Sequence, residues 1–174
     1  EALLTESQLC INGHACDLQC ANARQLILTG CQELIQTIYP NLKMLEGTPF
    51  SESNIPAYFR SNTPELFSSP LSEAETEILN LLRANKNNGL RTTIKGLKDR
   101  LSSRPYGWYD GAIYCMIAKL SLRNKLEMRS DGEILDAEKQ IAVLKNTHSQ
   151  DNVTLELQLD YEPHQVKRVK EFYQ

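Results

Sequence analysis

The dipeptide Asp131-Gly132, set between two short alternating segments, constrains this chain more than any other feature. Lys125-Leu126-Glu127-Met128-Arg129 alternates apolar with charged side chains, Ser130-Asp131-Gly132 turns, and Glu133-Ile134-Leu135 returns. A two-residue hairpin loop needs positive φ at both positions, which Asp-Gly adopts at little cost, so the spacing predicts a β-hairpin here.

Three helical patterns precede it. Ser72-Glu73-Ala74-Glu75 has the form of a capping box, in which Ser72 caps the helix and Glu75 reaches back to the Ser72 amide. The helix it opens carries Ile78, Leu81 and Leu82 on the face of Ala74 and stops at Asn87-Asn88-Gly89. Thr92 is expected to cap a second helix, which turns Ile94, Leu97 and Leu101 inward and sets Arg91, Lys95 and Lys98 on another face. After the turn Arg104-Pro105-Tyr106-Gly107, Asp110 starts a third helix with the apolar stripe Ile113, Met116, Ile117 and Leu120. Three short helices followed by a hairpin is the winged-helix order, and that fold serves DNA binding and protein docking alike.

The flanks are less regular. Residues 17–38 carry Cys20, Ile27, Cys31, Leu34 and Ile38 at helical spacings, ended by Tyr39-Pro40. Residues 2–11 read as a shorter helix broken at Asn12-Gly13, and the proline- and serine-rich stretch 41–70 holds one short helix at 55–60. Beyond the hairpin, Asp136 caps a fourth helix through Ile141 and Leu144. Residues 153–160 then alternate as a half-buried strand, and Glu162-Pro163 opens a last helix with Val166, Val169 and Tyr173 on one face. The expected fold is mostly α within an α+β class. It has a helical region at 1–70, a winged-helix-like domain at 71–136 and a helix–strand–helix extension at 137–174. The chain starts at Glu1, and its helical pattern is still running at Gln174, so it reads as a piece of a longer protein.

Charge sharpens the functional question. Residues 81–129 hold eleven Lys or Arg against three acids, +8, whereas the remaining residues hold eight against nineteen, −11. Arg91, Lys95, Lys98 and Arg104, with Lys125 and Arg129 on the wing, are therefore candidate contacts to duplex DNA. The third helix opens with Asp110, Gly111, Ala112 and Tyr114, none of which pairs with base edges in the manner of Arg, Asn or Gln. Any such contact would be weak, to the phosphate backbone and without sequence preference. Trp108, beside Tyr106 and Tyr109, reads first as a plug beneath the third helix. If the module docks proteins instead, Trp108 and Tyr114 are the candidate partner contacts.

Other chemistry finds little support. No G-x-x-x-x-G-K-[ST], H-E-x-x-H or G-x-S-x-G pattern occurs, so no catalytic residue and no cofactor are assigned. Cys10, His14, Cys16 and Cys20 lack a CxxC pair and are not read as zinc ligands; the cysteines read as small buried thiols on helices. Five cysteines without a regular framework suit reduced thiols in an intracellular protein. No apolar run approaches the roughly 18 residues of a membrane span.

Several of these segments fall in a familiar order. Gly96-Leu97, Arg104-Pro105-Tyr106-Gly107-Trp108, Ile117-Ala118-Lys119-Leu120 and Lys125-Leu126-Glu127 resemble a stretch in one known family, as does Ile38-Tyr39-Pro40-Asn41-Leu42 upstream. That family is the large P-loop ATPase component of bacteriophage-exclusion (BREX) and related phage-growth-limitation systems. Residues 34–45 and 71–136 carry the likeness. The resemblance implies a non-ATPase region of a multidomain AAA-type ATPase in bacterial antiphage defence, cytoplasmic, associated with DNA and with other defence proteins. The Walker motifs are absent, so ATP hydrolysis passes to no residue here.

Overall fold

Local sequence signals become elements with few exceptions in the computed structural model, which describes residues 9–11, 13–16, 22–47, 50–60 and 69–158. The chain opens with a hairpin of β1 (Leu9–Ile11) and β2 (His14–Cys16), followed by helix α1 (Ala23–Ile38) and a 3-10 turn at Pro40–Leu45. A short 3-10 turn, Glu52–Asn54, leads into α2 (Ile55–Arg60). The winged helix follows: α3 (Glu73–Asn87), α4 (Ile94–Ser102), α5 (Asp110–Leu122) and the wing strands β3 (Leu126–Ser130) and β4 (Glu133–Ile134). Helix α6 (Ala137–Lys145) is then interposed before β5 (Val153–Leu157).

The capping box at Ser72 forms as its sequence predicts. The Glu75 amide donates to Ser72 Oγ at 3.1 Å, and Glu75 Oε2 accepts from the Ser72 amide at 2.7 Å. The wing turn also matches its dipeptide, with φ of 52° at Asp131 and 85° at Gly132. Ile94, Leu97 and Leu101 all point inward, as do Ile113, Met116, Ile117 and Leu120. Asp136 caps α6 by accepting from the Lys139 amide at 2.8 Å. Helix α2 matches the short helix expected at 55–60.

Two expectations are corrected. Residues 9–11 are a strand paired with 14–16, not the end of a helix; Gly13, at φ 80°, supplies the reversal between them. Thr93, not Thr92, caps α4, its Oγ1 accepting from the Gly96 amide at 3.0 Å. Thr92 is buried, with Oγ1 accepting from Asn85 Nδ2 and its carbonyl accepting from the Leu155 amide. The helix expected after Glu162-Pro163 and the segment 2–8 lie outside the described residues, as do 17–21 at the start of the helix expected over 17–38.

The sheet runs in the order β4-β3-β5, all antiparallel, with Leu126 opposite Leu157 and Ser130 opposite Val153. An isolated bridge from Thr93 to Thr154 adds one residue of strand on the far edge of β5. Leu126, Met128, Val153 and Leu155 turn to the helices, whereas Glu127, Arg129 and Glu156 lie on the opposite face.

The two stretches that carry the family resemblance meet in space. The Asn41 amide donates to the Pro105 carbonyl at 3.1 Å, and Trp108 Nε1 donates to the Asn41 carbonyl at 3.0 Å. Gly107 sits between them at φ 64°, and a Cβ there would lie 2.6 Å from the Tyr39 ring. Glycine is required at this turn both by conformation and by space.

Candidate nucleic-acid interface

In helix-turn-helix proteins the recognition helix enters the major groove and must present its front turn to solvent. Helix α5 occupies that place in the order, and it has no exposed residue. Residues 111–118 and Leu120 are all buried. The cover is the chain's own segment 50–60. Tyr109 Oη donates to the Phe50 carbonyl at 3.2 Å, and Cys115 Sγ donates to the Ser51 carbonyl at 3.3 Å. Lys119 Nζ stands 5.3 Å from the ring centres of both Phe50 and Tyr58, a cation–π arrangement that fixes α2 against α5. On another side Ser121 Oγ donates to Gln140 of α6, and Tyr114 Oη donates to Gln150 at 3.0 Å. A helix hydrophobic all round is a core helix, and α5 is one.

The six candidate cations are placed unevenly. Arg91, Lys95 and Arg104 are exposed, and Lys98, Lys125 and Arg129 are half-buried. Lys95 Nζ donates to Asp151 at 2.9 Å, a bond that raises the lysine pKa, and Lys98 Nζ is 3.6 Å from Asp110. Arg129 is held by Glu127 at 2.8 Å and Glu156 at 3.2 Å across the outer face of the sheet. Hydrogen bonds from Gln158 and Arg129 in turn lower the Glu127 pKa. Arg91 lines a hollow with the wing turn Asp131-Gly132 and with Asp151. Arg104 lies beyond the opposite end of α4, a helix about 13 Å long. The fold therefore gathers Arg91 and Lys95 near the wing turn, leaves Arg104 apart, and meets Lys95, Lys98 and Arg129 with carboxylates. Two of those acids, Asp151 and Glu156, come from outside the basic segment.

Lys86, exposed at the end of α3, belongs with Arg91 around a groove beside β5 and was not singled out from sequence. The signal was present only as one more charge within the +8 stretch. Arg123, another of those charges, is buried in an ion pair with Glu75. Trp108 and Tyr114 are 1% and 2% exposed, so neither offers a surface to a partner in this fold.

The cysteines also differ from expectation. Cys10 is exposed on β1 and Cys31 is exposed on α1, because the hairpin and the outer face of α1 leave them uncovered; neither is a buried helical thiol. Cys16 lies on β2 rather than a helix, and Cys20 falls outside the described residues. Among the described residues no three His, Cys, Asp or Glu side chains converge as metal ligands. Cys115 is buried, which pushes its thiol pKa up. Since the thiolate is the nucleophile, brief iodoacetamide treatment at neutral pH is expected to modify Cys10 and Cys31 and to spare Cys115 until the chain unfolds. Peptide mass spectrometry showing early modification of Cys115 would contradict this packing.

Among the described residues, no helix is long and apolar enough to cross a membrane. No curated protein and no solved structure matches the chain significantly. A family model described as the winged helix-turn-helix domain of the BREX ATP-binding protein BrxC matches residues 60–158, a span that takes in α3 to α5, the wing, α6 and β5. With more than half its length so matched and the three-helix-and-wing order in place, the chain belongs to the BrxC winged-helix family.

Proposed function

We propose that this winged helix is a protein-docking module of a cytoplasmic BREX ATP-binding component, does no chemistry of its own, and joins that component to other proteins of the defence system. The observation that carries the reading is the burial of α5. Residues 111–118 are buried, and hydrogen bonds from the cap residue Tyr109 to Phe50 and from Cys115 to Ser51 fix the helix against residues 50–60, so groove insertion would require opening a packed core. The carboxylates on Lys95, Lys98 and Arg129 add to it, since each such pair must be broken before the cation meets a phosphate.

Weak, non-specific contact with duplex DNA is the second reading, and the exposed Arg91 and Arg104 favour it. A titration of the chain with a short duplex over a range of salt separates the two. Each neutralised phosphate contributes about −0.9 to the slope of log K against log salt, so four engaged cations would give roughly −3.6. The docking reading expects no binding tighter than about 10⁻⁴ M at physiological salt and a clearly shallower slope. A slope of about −3.6, made shallower by about 1.8 or more in Lys95→Glu with Lys98→Glu, would transfer the function to DNA.

A further inference from the structure

Among the described residues, the outer edge of β5 loses its partner where the preceding chain peels away from it. The Leu155 amide donates to the Thr92 carbonyl at 2.8 Å, and the Thr93–Thr154 bridge continues that contact. One step further the pairing stops. Continuation of the register would set Arg91 opposite Glu156 and Leu90 opposite Leu157. Instead the Leu90 amide turns to the Asn85 carbonyl, and Leu90 is 61% exposed. Alternation along a strand decides which edge each backbone group faces. The Gln158 amide donates to Lys125 of β3, and the Leu155 amide points the other way to Thr92. Leu157 has the parity of Leu155, so its amide and carbonyl face the outer edge, where no described strand pairs with it.

A groove of about 370 Å³ lies along this edge, lined by Leu82, Lys86, Leu90, Arg91 and β5 as far as Leu157. Leu82, Leu90, Leu155 and Leu157 give it apolar lining, and two exposed cations, Lys86 and Arg91, border it. Among the described residues the one carboxylate that borders it, Glu156, is engaged by Arg129 at 3.2 Å on the other face of the sheet. Unpaired strand edges are templates for a further strand, with backbone bonds giving affinity and side-chain contacts giving selectivity.

We infer that this edge takes an extended, acidic segment of another protein, which adds as a strand beside Leu157 and sets alternate carboxylates against Lys86 and Arg91. Apolar residues of the same segment cover the exposed Leu90. The inference rests on the docking reading and names its surface and the chemistry of its partner. Basic strands are repelled by the same two cations, so the edge is selective as well as adhesive.

The probe is a synthetic peptide alternating valine with glutamate, compared with one alternating valine with lysine, titrated into the isotope-labelled 174-residue chain. The glutamate peptide is expected to shift the amide resonances of Leu155 and Leu157 and to bind about tenfold more tightly than the lysine peptide, two exposed charge pairs being worth roughly that ratio. Lys86→Glu with Arg91→Glu, both on the surface, is expected to reverse the preference. Leu157→Pro removes the outward amide at an edge position that tolerates proline, and it is expected to weaken both peptides. Should Leu157→Pro not fold, the charge-reversal variant still decides. Equal binding of the two peptides, shifts confined to other surfaces, or no binding at millimolar peptide would overturn the proposal. If DNA binding is also absent in the salt titration, only this edge is lost and docking must use another face. A steep salt slope with DNA instead removes the docking reading itself.

Discussion

Replacing Trp108 by alanine is expected to cost about 3–5 kcal/mol of folding stability, the range for deleting a large buried aromatic. The indole is 1% exposed and makes two contacts at once. Its Nε1–H donates to the Asn41 carbonyl at 3.0 Å, tying the 3-10 turn at Pro40–Leu45 to the winged helix. Its ring meets Tyr106 edge-on at 5.6 Å, and the Tyr106 hydroxyl donates to Glu77 of α3. Burial, with that bond, pushes the Tyr106 pKa up to about 12, so the phenol stays a donor through the neutral range. Against a typical total of about 5–15 kcal/mol, the loss would leave the variant close to unfolding at ordinary temperature. Trp108→Phe should cost less. It keeps much of the apolar volume, and its main penalty is the unpaired Asn41 carbonyl, about 1–3 kcal/mol if no water reaches it. Urea denaturation followed by circular dichroism measures both. A Trp108→Ala variant within about 1 kcal/mol of the parent would show that the indole is not the plug described.

What was legible in the sequence is what neighbouring residues decide. The capping box at Ser72, the positive-φ pair Asp131-Gly132 and the inward faces of α3, α4 and α5 all depend on contacts a few residues apart. Thr92 and Thr93 illustrate the margin. Both are threonines, and which of them caps the helix is decided by Leu155, whose amide binds the Thr92 carbonyl from far along the chain. Strand β1 falls within the helix expected over residues 2–11 because the strands of its hairpin are three residues long, too short to establish an alternation.

The candidate site was less legible, for the same physical reason. Cations are visible in a sequence, but their counter-ions are not. Asp151 lies 56 residues from Lys95 along the chain, and Glu156 reaches Arg129 only because β5 pairs with β3 across an intervening helix. The alternation at 153–157 announced a strand without naming its partner. Likewise the apolar stripe of α5 predicted one buried face, and a second layer, residues 50–60, buried the rest.

Arg123 joins these points, and its removal is the other large effect expected. Counted along the sequence it is one more charge available to phosphate; in the fold its side chain is 9% exposed, and Nε lies 3.7 Å from Glu75 Oε1, whose side chain is 4% exposed. Among the described residues neither of those two atoms has a hydrogen-bond partner. The guanidinium also donates to the Ser69 carbonyl at 3.2 Å and to Ser69 Oγ at 2.8 Å, which holds the chain just before α3. Arg123→Ala strands a buried carboxylate, at an expected cost of about 3–5 kcal/mol. Glu75→Gln removes that charge yet keeps an oxygen for the Ser72 amide, so the double variant should be more stable than Arg123→Ala alone. A double-mutant cycle by urea denaturation reads the coupling, and strictly additive losses would mean that the pair contributes nothing as a pair. The same variant bears on function. Because Arg123 is already committed to Glu75, folded Arg123→Ala protein should show the parent's salt slope with duplex DNA. A slope reduced by about 0.9 would instead count this buried guanidinium among the phosphate contacts.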